Sequence, residues 1–217
     1  MSLRDPPLAV QKRSGRFCVF GIRQKSLWDP PFFYCCLVVV ISIADTGHCT
    51  QCGGTMSVQT IYLLRHTKAE ERSVMRADVD RCLVEKGRQQ ALRVGAFIRR
   101  QQLEPQLVLT SPYPRALQTA MLVAASADLS CDVAEVLWLA HGTAGQTQYQ
   151  QLLQALPDLP AQTLLVGHEP ELSALLSLCL GQSASAIQIK KGTLLCLQYV
   201  PATGFRLDWL LPCHLLR

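Results

Sequence analysis

The sequence predicts an α/β protein, a three-layer αβα sandwich built around a mostly parallel central sheet. Two observations indicate this fold class. From residue 60 onward, short apolar runs typical of buried strands alternate with longer segments of helical period. Alternation of this kind packs helices on both faces of a parallel sheet. The chain has 217 residues, of which 49% are hydrophobic, so one domain with a sizeable core is expected.

The elements follow one another in a regular order. The predicted strands are 60–65, 106–111, 133–139, 162–168, 193–200 and 204–211, the last two forming a hairpin. The predicted helices are 85–103, 114–127, 147–157 and 170–181. Pro114 and Pro170 stand where helices begin, and Gly181 stands where one ends, as proline and glycine commonly do. The first helix is amphipathic, and its apolar face contains Ala91, Val94, Phe97 and Ile98.

Residues 1–55 differ from the rest of the chain. They show no sustained helical or strand period and contain five of the ten cysteines. We interpret them as an irregular extension, either poorly ordered or upstream sequence translated from too early a start, and we predict a single domain over residues 56–217. The apolar run Phe32–Ala44 has 13 residues. About 20 are needed to span a bilayer, so a membrane anchor is the less favoured alternative.

Charge and cysteine content exclude several classes of protein. The formal net charge is +5, and residues 56–217 hold only two more basic than acidic residues. A body so near neutrality has no basic tract suited to nucleic acid. "HCTQC" (48–52) offers one Cys-x-x-Cys beside His48, but no second ligand pair completes a zinc site. No metal site is therefore predicted, and any positively charged site must be local.

Polar residues with related chemistry follow three of the predicted strands. Arg65 and His66 end the first strand, "SPYPR" carries the chain from the second strand to Arg115, and His168 ends the third long apolar strand. Ligands of such sheets bind at the carboxyl ends of the strands. Two arginines and two histidines are thus expected to converge, with no carboxylate among them. Such a cluster favours a bound anion, and phosphate matches the guanidinium geometry best.

The motifs "LLRHTKAE" (63–70), "SPYPRALQTA" (111–120) and "LVGHEPELS" (165–173) resemble those of the histidine phosphatase, or phosphoglycerate-mutase-like, superfamily in order and spacing. The SixA-type protein phosphohistidine phosphatases are the most similar members, over residues 56–217. The resemblance implies that His66 is the nucleophile that accepts phosphate, that Arg65, Arg115 and His168 line the phosphate pocket, and that no metal or cofactor is needed. A neutral imidazole, with a pKa of about 6.5, suits this role, and neighbouring arginines favour the neutral form.

Two features depart from the family pattern. Thr67 replaces the glycine of the usual Arg-His-Gly motif, and we expect its hydroxyl or backbone N–H to face the phosphate. The glutamate that protonates the leaving group in many members has no clear match. Asp78 in "ADVDRCL" is the first candidate for a catalytic acid, with Asp80 and Glu135 as alternatives. An imidazole leaving group would lessen the need for a strong acid.

Other polar residues of the same region are given structural interpretations. Ser111 fits a turn or helix-entry role better than catalysis. His141, in "AHGTAG", is interpreted as a loop residue, and Lys190 and Lys191 as a solvated turn before the hairpin, with partner docking as an alternative.

The spacing of the motifs predicts the class of substrate. No large insertion separates Arg65 from Arg115 or Arg115 from His168, so a shallow, open pocket is expected. Such a pocket suits phosphohistidine on a signalling or phosphocarrier protein. The alternatives are a small-molecule phosphomonoesterase and a non-catalytic phosphate-binding or partner-binding module. We expect a cytoplasmic protein with no stable membrane association, while the cognate phosphoprotein and the oligomeric state are not predicted.

Overall fold

The computed structural model describes residues 58–75, 77–181 and 187–216. Within them, six strands form one sheet in the order β3-β2-β4-β1-β5-β6. The strands are β1 (Gln59–Arg65), β2 (Leu107–Thr110), β3 (Val133–Glu135), β4 (Gln162–Gly167), β5 (Leu194–Val200) and β6 (Gly204–Leu211). The helices are α1 (Glu85–Arg100), α2 (Pro114–Ala127), α3 (Gly145–Ala155) and α4 (Glu171–Leu180). The predictions for residues 1–55, including Phe32–Ala44 and the His48 motif, lie outside the described residues.

The sheet is parallel over four strands and antiparallel at one side. β1 pairs with β4, β4 with β2, and β2 with β3, all in parallel. β5 then pairs antiparallel with both β1 and β6. A short turn joins the antiparallel neighbours β5 and β6, whereas parallel neighbours need a crossover such as a helix. The sheet is thus mixed, with the parallel part where the candidate residues lie.

Helices cover both faces of the sheet, which confirms the predicted three layers. α1 and α2 pack on one face, in a core cluster with Tyr62 and Leu64 of β1. α3 and α4 pack on the other face, in a second cluster with Ile61 and Leu63 of the same strand. Alternate residues of β1 therefore enter opposite cores, as the two-residue period of a strand requires.

Two predicted elements end three or more residues earlier than expected. The predicted strand 133–139 stops at Glu135, and Leu137–Leu139 form a 3-10 turn. β3 is an edge strand, and β2 is its only neighbour among the described strands. Because β2 ends at Thr110, the residues after Glu135 have no strand to pair with. The first helix stops at Arg100, because Gln102 adopts a left-handed backbone conformation with φ of 53°.

The start of α1 fixes the path of the chain that follows β1. Gly87 packs directly on this segment, and a Cβ atom added there would overlap the carbonyl oxygen of Lys68. The same carbonyl accepts a hydrogen bond from the N–H of Val84 at 3.2 Å. The N–H of Lys68 in turn donates to Oε1 of Gln90 at 3.0 Å. The residues immediately after His66 are therefore held by the first turns of α1.

We expect Gly87→Ala to reduce the free energy of unfolding by about 1–3 kcal/mol, because the new methyl group overpacks against backbone that cannot easily shift. At an unconstrained helix position the same change would stabilise by about 0.5–1 kcal/mol. Urea denaturation measures the difference. Arg88→Ala, at the adjacent exposed position, is the control and should change stability little. A stabilised Gly87→Ala protein would contradict the close contact.

Candidate active site

Three adjacent strands carry the candidate residues to one edge of the sheet. Arg65, the last residue of β1, stands opposite Gly167, the last residue of β4. The N–H of His66 donates to the carbonyl of Gly167 at 3.0 Å, which continues the ladder by one residue. The rings of His66 and His168 consequently lie 5.1 Å apart between centroids. The structure therefore brings together the two histidines that the sequence places a hundred residues apart.

His66 has one ring nitrogen engaged and one available. Its Nδ1 lies 2.8 Å from the backbone carbonyl of Thr67. A carbonyl can only accept a hydrogen bond, so Nδ1 carries the proton and Nε2 keeps its lone pair. Nε2 has no hydrogen-bond partner among the described residues. The side chain is only 5% exposed, so this nitrogen is presented from a rigid, largely buried ring.

Both histidines are held in the neutral form. Burial lowers the pKa of His66 to about 3, opposed by the hydrogen bond to Thr67 and assisted by the charges of Arg115, Arg65 and Lys191. Burial likewise lowers the pKa of His168 to about 2. Desolvation penalises the charged form of an imidazole, and nearby cations penalise it further. A neutral His66 can act as a nucleophile at physiological pH.

Arg115 is a buried cation anchored by Asp78. Its side chain is 2% exposed, at the first turn of α2. Nη1 donates to the backbone carbonyl of Asp78 at 2.6 Å, and Nη2 donates to its Oδ2 at 3.1 Å. The guanidinium also lies over the ring of Tyr113, 5.0 Å from the centroid. These contacts define the orientation of the guanidinium before any ligand binds.

Asp78 does not have the environment of a proton donor. Burial by itself would raise the pKa of this carboxyl, but the charges of Arg115, Arg81 and Arg72 outweigh burial and lower it. Arg81 lies 2.8 Å and Arg72 3.0 Å from Oδ1. A carboxylate held ionised in this way carries no proton to donate near neutral pH, so the prediction of a catalytic acid at Asp78 finds no support in the geometry. The side chains of Asp80 and Glu135, the alternative candidates, are exposed.

Arg65 and His168 keep polar atoms without partners. Nη1 of Arg65 donates to the carbonyl of Ile189 at 2.7 Å, while its Nε is buried without a partner among the described residues. Nε2 of His168 pairs with Oγ of Ser111 at 2.7 Å, and its Nδ1 is likewise buried and unpartnered. Buried polar atoms without partners in a native site call for an explanation, and a bound anion would provide one.

Ser111 has a role at the site that the sequence did not reveal. Its Oγ accepts the N–H of Tyr113 at 3.3 Å, as expected for a turn, and the same atom holds the His168 ring. The local sequence indicates only the first contact. The second depends on the pairing of β2 with β4 and has no sequence signal.

Thr67 contacts α2 instead of opening onto the pocket. Its N–H donates to Oγ1 of Thr119 at 3.2 Å, and its hydroxyl lies 3.3 Å from the same atom. Thr119 in turn donates to the carbonyl of Arg115 at 2.7 Å. Both groups that were expected to face phosphate are thus engaged with a buried hydroxyl. Thr67 links the segment after His66 to the helix that carries Arg115.

A third histidine lies beside the site. The ring of His141 is 5.8 Å from that of His168, and its Nδ1 is 2.9 Å from Oε1 of Glu171. The hydroxyl of Tyr113 donates to the backbone carbonyl of His141 at 3.3 Å. The sequence predicts an ordinary loop residue here, because the loop contains no motif and Glu171 is thirty positions away. The structure places His141 in contact with two elements of the site.

In the described part of the chain, no three His, Cys, Asp or Glu side chains converge in an arrangement able to hold a metal ion. None of the helices between residues 58 and 216 that the structure describes has the length and apolar character needed to cross a membrane.

Neutral histidines and arginines converging at the carboxyl ends of parallel strands are the arrangement expected of a phosphoryl-transfer enzyme that works through histidine. A model of the histidine phosphatase superfamily (branch 1) matches residues 61–160. The chain belongs to this superfamily of phosphatases, and its fold is phosphoglycerate-mutase-like. An uncharacterized protein of Picosynechococcus sp. (strain ATCC 27264 / PCC 7002 / PR-6) is 33% identical over 134 residues, which are 60% of this chain and 79% of that protein.

Solved structures of the SixA type share the fold. A protein assigned as phosphohistidine phosphatase SixA from Agrobacterium tumefaciens is 25% identical, with a TM-score of 0.61 over 71% of this chain and 97% of that one. The protein histidine phosphatase SixA complexed with tungstate is 19% identical, with a TM-score of 0.65 over 73% and 100%. A mycobacterial glucosyl-3-phosphoglycerate phosphatase is 18% identical, with a TM-score of 0.58 over 70% and 98%. The last two likenesses concern the fold alone.

The lowered pKa of His66 predicts a loss of stability in acid. The unfolded residue, with a pKa of about 6.5, binds a proton as the pH falls from 7 to 5, whereas the folded residue, with a pKa of about 3, does not. The unfolded state therefore gains protons relative to the folded state, and the stability present above pH 6.5 decreases. We expect wild type to lose up to about 2 kcal/mol more than His66→Asn over this range, measured by urea denaturation in phosphate-free buffer. Equal losses would show that His66 titrates normally when folded.

The contacts of Asp78 predict that it positions Arg115. Asp78→Asn should lower kcat/KM about tenfold or more, because Arg115 loses its charged anchor. The loss should be the same for phosphate esters with good and poor leaving groups. The control is Asp80→Asn, on the same 3-10 turn, which should behave as wild type. A loss confined to poor leaving groups would instead identify Asp78 as the acid.

Proposed function

We propose that this protein hydrolyses phosphohistidine on a protein substrate through a covalent intermediate on His66. The observation that carries the proposal is the neutral ring of His66, with an available Nε2, next to His168 and within the electrostatic influence of Arg115 and Arg65. We further propose that the enzyme acts in the cytoplasm, on a signalling or phosphocarrier protein, and that residues 56–217 form the catalytic domain.

In the first step, Nε2 of His66 attacks phosphorus in line with the leaving nitrogen of the substrate. A P–N bond to His66 forms as the P–N bond to the substrate breaks, and the leaving imidazole takes up a proton. The charge of the transferring group is spread over its equatorial oxygens. Arg65 and Arg115 donate to these oxygens, and each charge-assisted hydrogen bond contributes about 1.5–3 kcal/mol. With Oγ of Ser111 donating to Nε2 of His168, the buried and unpartnered Nδ1 of that ring is a further donor to the same group.

In the second step, water attacks the phosphorus of phospho-His66. The P–N bond breaks, Nε2 regains its lone pair, inorganic phosphate leaves and a proton passes to a nearby base. The hydrogen bond from Nδ1 to Thr67 holds the ring in place throughout, so that the same nitrogen is presented for the next cycle. Because the arginines supply the positive charge, the proposed reaction requires no metal.

A cationic cavity beside the pocket supports a protein substrate. Its volume is about 350 Å³, and its lining consists of Arg65, Gln90, Lys190, Lys191, Cys213 and His214. Burial lowers the pKa of Lys191, and the charges of Arg65, Arg81 and Lys68 lower it further against the opposing effect of Glu71. Like charges this close favour an acidic partner. Carboxylates around a phosphohistidine on a protein surface would provide one.

A small-molecule phosphomonoesterase is the second candidate. The similarity in fold to a glucosyl-3-phosphoglycerate phosphatase favours it, because this architecture also serves small esters. The same cationic cavity could bind a second anionic group of such a substrate. Relative kcat/KM values for a phosphohistidine protein and for small phosphate esters separate the two functions. Preference for the esters would reject the phosphohistidine proposal.

Trapping the phosphoenzyme tests the mechanism. Brief incubation with a ³²P-phosphohistidine protein, followed by denaturation, should give an acid-labile, base-stable label on wild type, as expected for a phosphoramidate. His66→Ala should carry no label and have no turnover, because the nucleophile is missing. Arg99→Ala, at the far end of α1, is the control and should be labelled as wild type. Label or substantial turnover in His66→Ala would reject the covalent mechanism.

A further inference from the structure

We propose that His141 is a catalytic acid and base of this site, protonating the leaving group in the first step and deprotonating water in the second, with Glu171 as its positioning residue. This inference rests on the proposed function of the His66 site. It supplies a proton donor at a site where the carboxylate predicted for that role, Asp78, is held ionised by arginines.

Glu171 is a buried carboxylate directed at the His141 loop. It lies in the first turn of α4 and is 6% exposed. Its Oε1 accepts a hydrogen bond from the N–H of Gly142 at 2.7 Å, which fixes the loop, and the same atom is 2.9 Å from Nδ1 of His141. Its Oε2 is buried with no partner among the described residues. A carboxylate with so few other partners in a buried position interacts mainly with the imidazole and its loop.

The contact with Glu171 selects the ring nitrogen that can exchange a proton. Nδ1 has no hydrogen-bond partner in good geometry among the described residues, but the negative charge of a carboxylate oxygen 2.9 Å away favours the proton on that nitrogen in the neutral ring. Nε2 of His141 is then the nitrogen that gains or loses a proton. The side chain of His141 is 30% exposed, so substrate and water can reach its ring.

The position of His141 relative to the other rings is that of a group bordering the phosphate pocket. Its ring lies 5.8 Å from His168, whose ring lies 5.1 Å from His66. Tyr113 connects these groups, because its ring packs 5.4 Å from His168 while its hydroxyl binds the carbonyl of His141. The rings of His66 and His141 thus both lie within 6 Å of that of His168.

One other group competes for the role of acid. Burial raises the pKa of Glu169, while a hydrogen bond from Ser173 and the charge of Arg65 lower it and Glu171 raises it. A carboxyl of this kind can carry a proton. Glu169 is hydrogen-bonded to Ser173, and its Oε1 is buried without a partner among the described residues. The ring of His141 is instead 30% exposed and lies 5.8 Å from that of His168. The contacts therefore favour His141, and Glu169 becomes a comparison in the test.

Each proton that His141 donates in the first step is recovered in the second. The imidazolium form of His141 gives its Nε2 proton to the leaving oxygen or nitrogen as the bond from that atom to phosphorus breaks and the bond to His66 forms. The neutral ring that remains takes a proton from water as the water oxygen bonds to phosphorus and the bond to His66 breaks. His141 is then protonated again, and one water has been consumed for each phosphate released.

The test measures the dependence of activity on the leaving group. Wild type, His141→Gln and Glu169→Gln are compared on p-nitrophenyl phosphate, whose leaving group needs little protonation, and on phenyl phosphate, whose phenol resembles tyrosine with a pKa of about 10. Leu137→Gln is the control, since this side chain of the preceding 3-10 turn is 80% exposed. Label transfer from a ³²P-phosphohistidine protein is followed in parallel.

We expect His141→Gln to lose about 10²-fold or more in kcat/KM on phenyl phosphate and far less on p-nitrophenyl phosphate, as for removal of a general acid. It should still become labelled on His66, which shows an intact nucleophile site. Equal losses on both esters, no loss on either, or a steep leaving-group dependence only in Glu169→Gln would each overturn the assignment. Absence of label and turnover in wild type would instead reject the proposed function itself.

Discussion

The hydrogen bond from His66 to the carbonyl of Thr67 is the interaction on which the site depends. It exists only because Nδ1 carries the proton, and this leaves Nε2 as the nucleophilic nitrogen. The ring must also be neutral, since a protonated imidazole has no lone pair to offer. Burial and the surrounding cations enforce neutrality together. The positively charged surroundings that would bind a phosphate are thus the same surroundings that keep the nucleophile reactive.

The scaffold around this interaction links three groups of the site, Arg115, His168 and Thr67, each to a different element. Arg115 is anchored by Asp78 from the segment before α1, His168 by Ser111 from the end of β2, and Thr67 by Thr119 from α2. Each anchor crosses from one strand end or helix to another. The geometry of the pocket is therefore set in advance by protein contacts, and little reorganisation is needed when an anion arrives.

The sequence was sufficient to predict the elements and the convergence of Arg65, His66, Arg115 and His168, because strand pattern and the strand-end rule depend on local order along the chain. The predicted end of β3 was wrong because an edge strand continues only as far as the strand beside it. The local sequence of β3 does not encode the length of β2. The environment of Asp78 and the position of His141 likewise could not be predicted from the sequence. Both are defined by side chains on distant segments, and spacing along the chain carries no information on which way a side chain turns.

The pairing of β1 has a consequence for how the protein is made. This strand forms near the start of the described chain, yet its partner β4 is about 100 residues further on and its other partner, β5, about 130. A growing chain thus holds an apolar strand without neighbours until most of the domain has left the ribosome. Contacts of such long range slow folding and leave strand edges open to aggregation in the meantime. The strand that leads into the nucleophile is consequently made before both of its partners, so the phosphate site can assemble only after β4 and β5 have been synthesised.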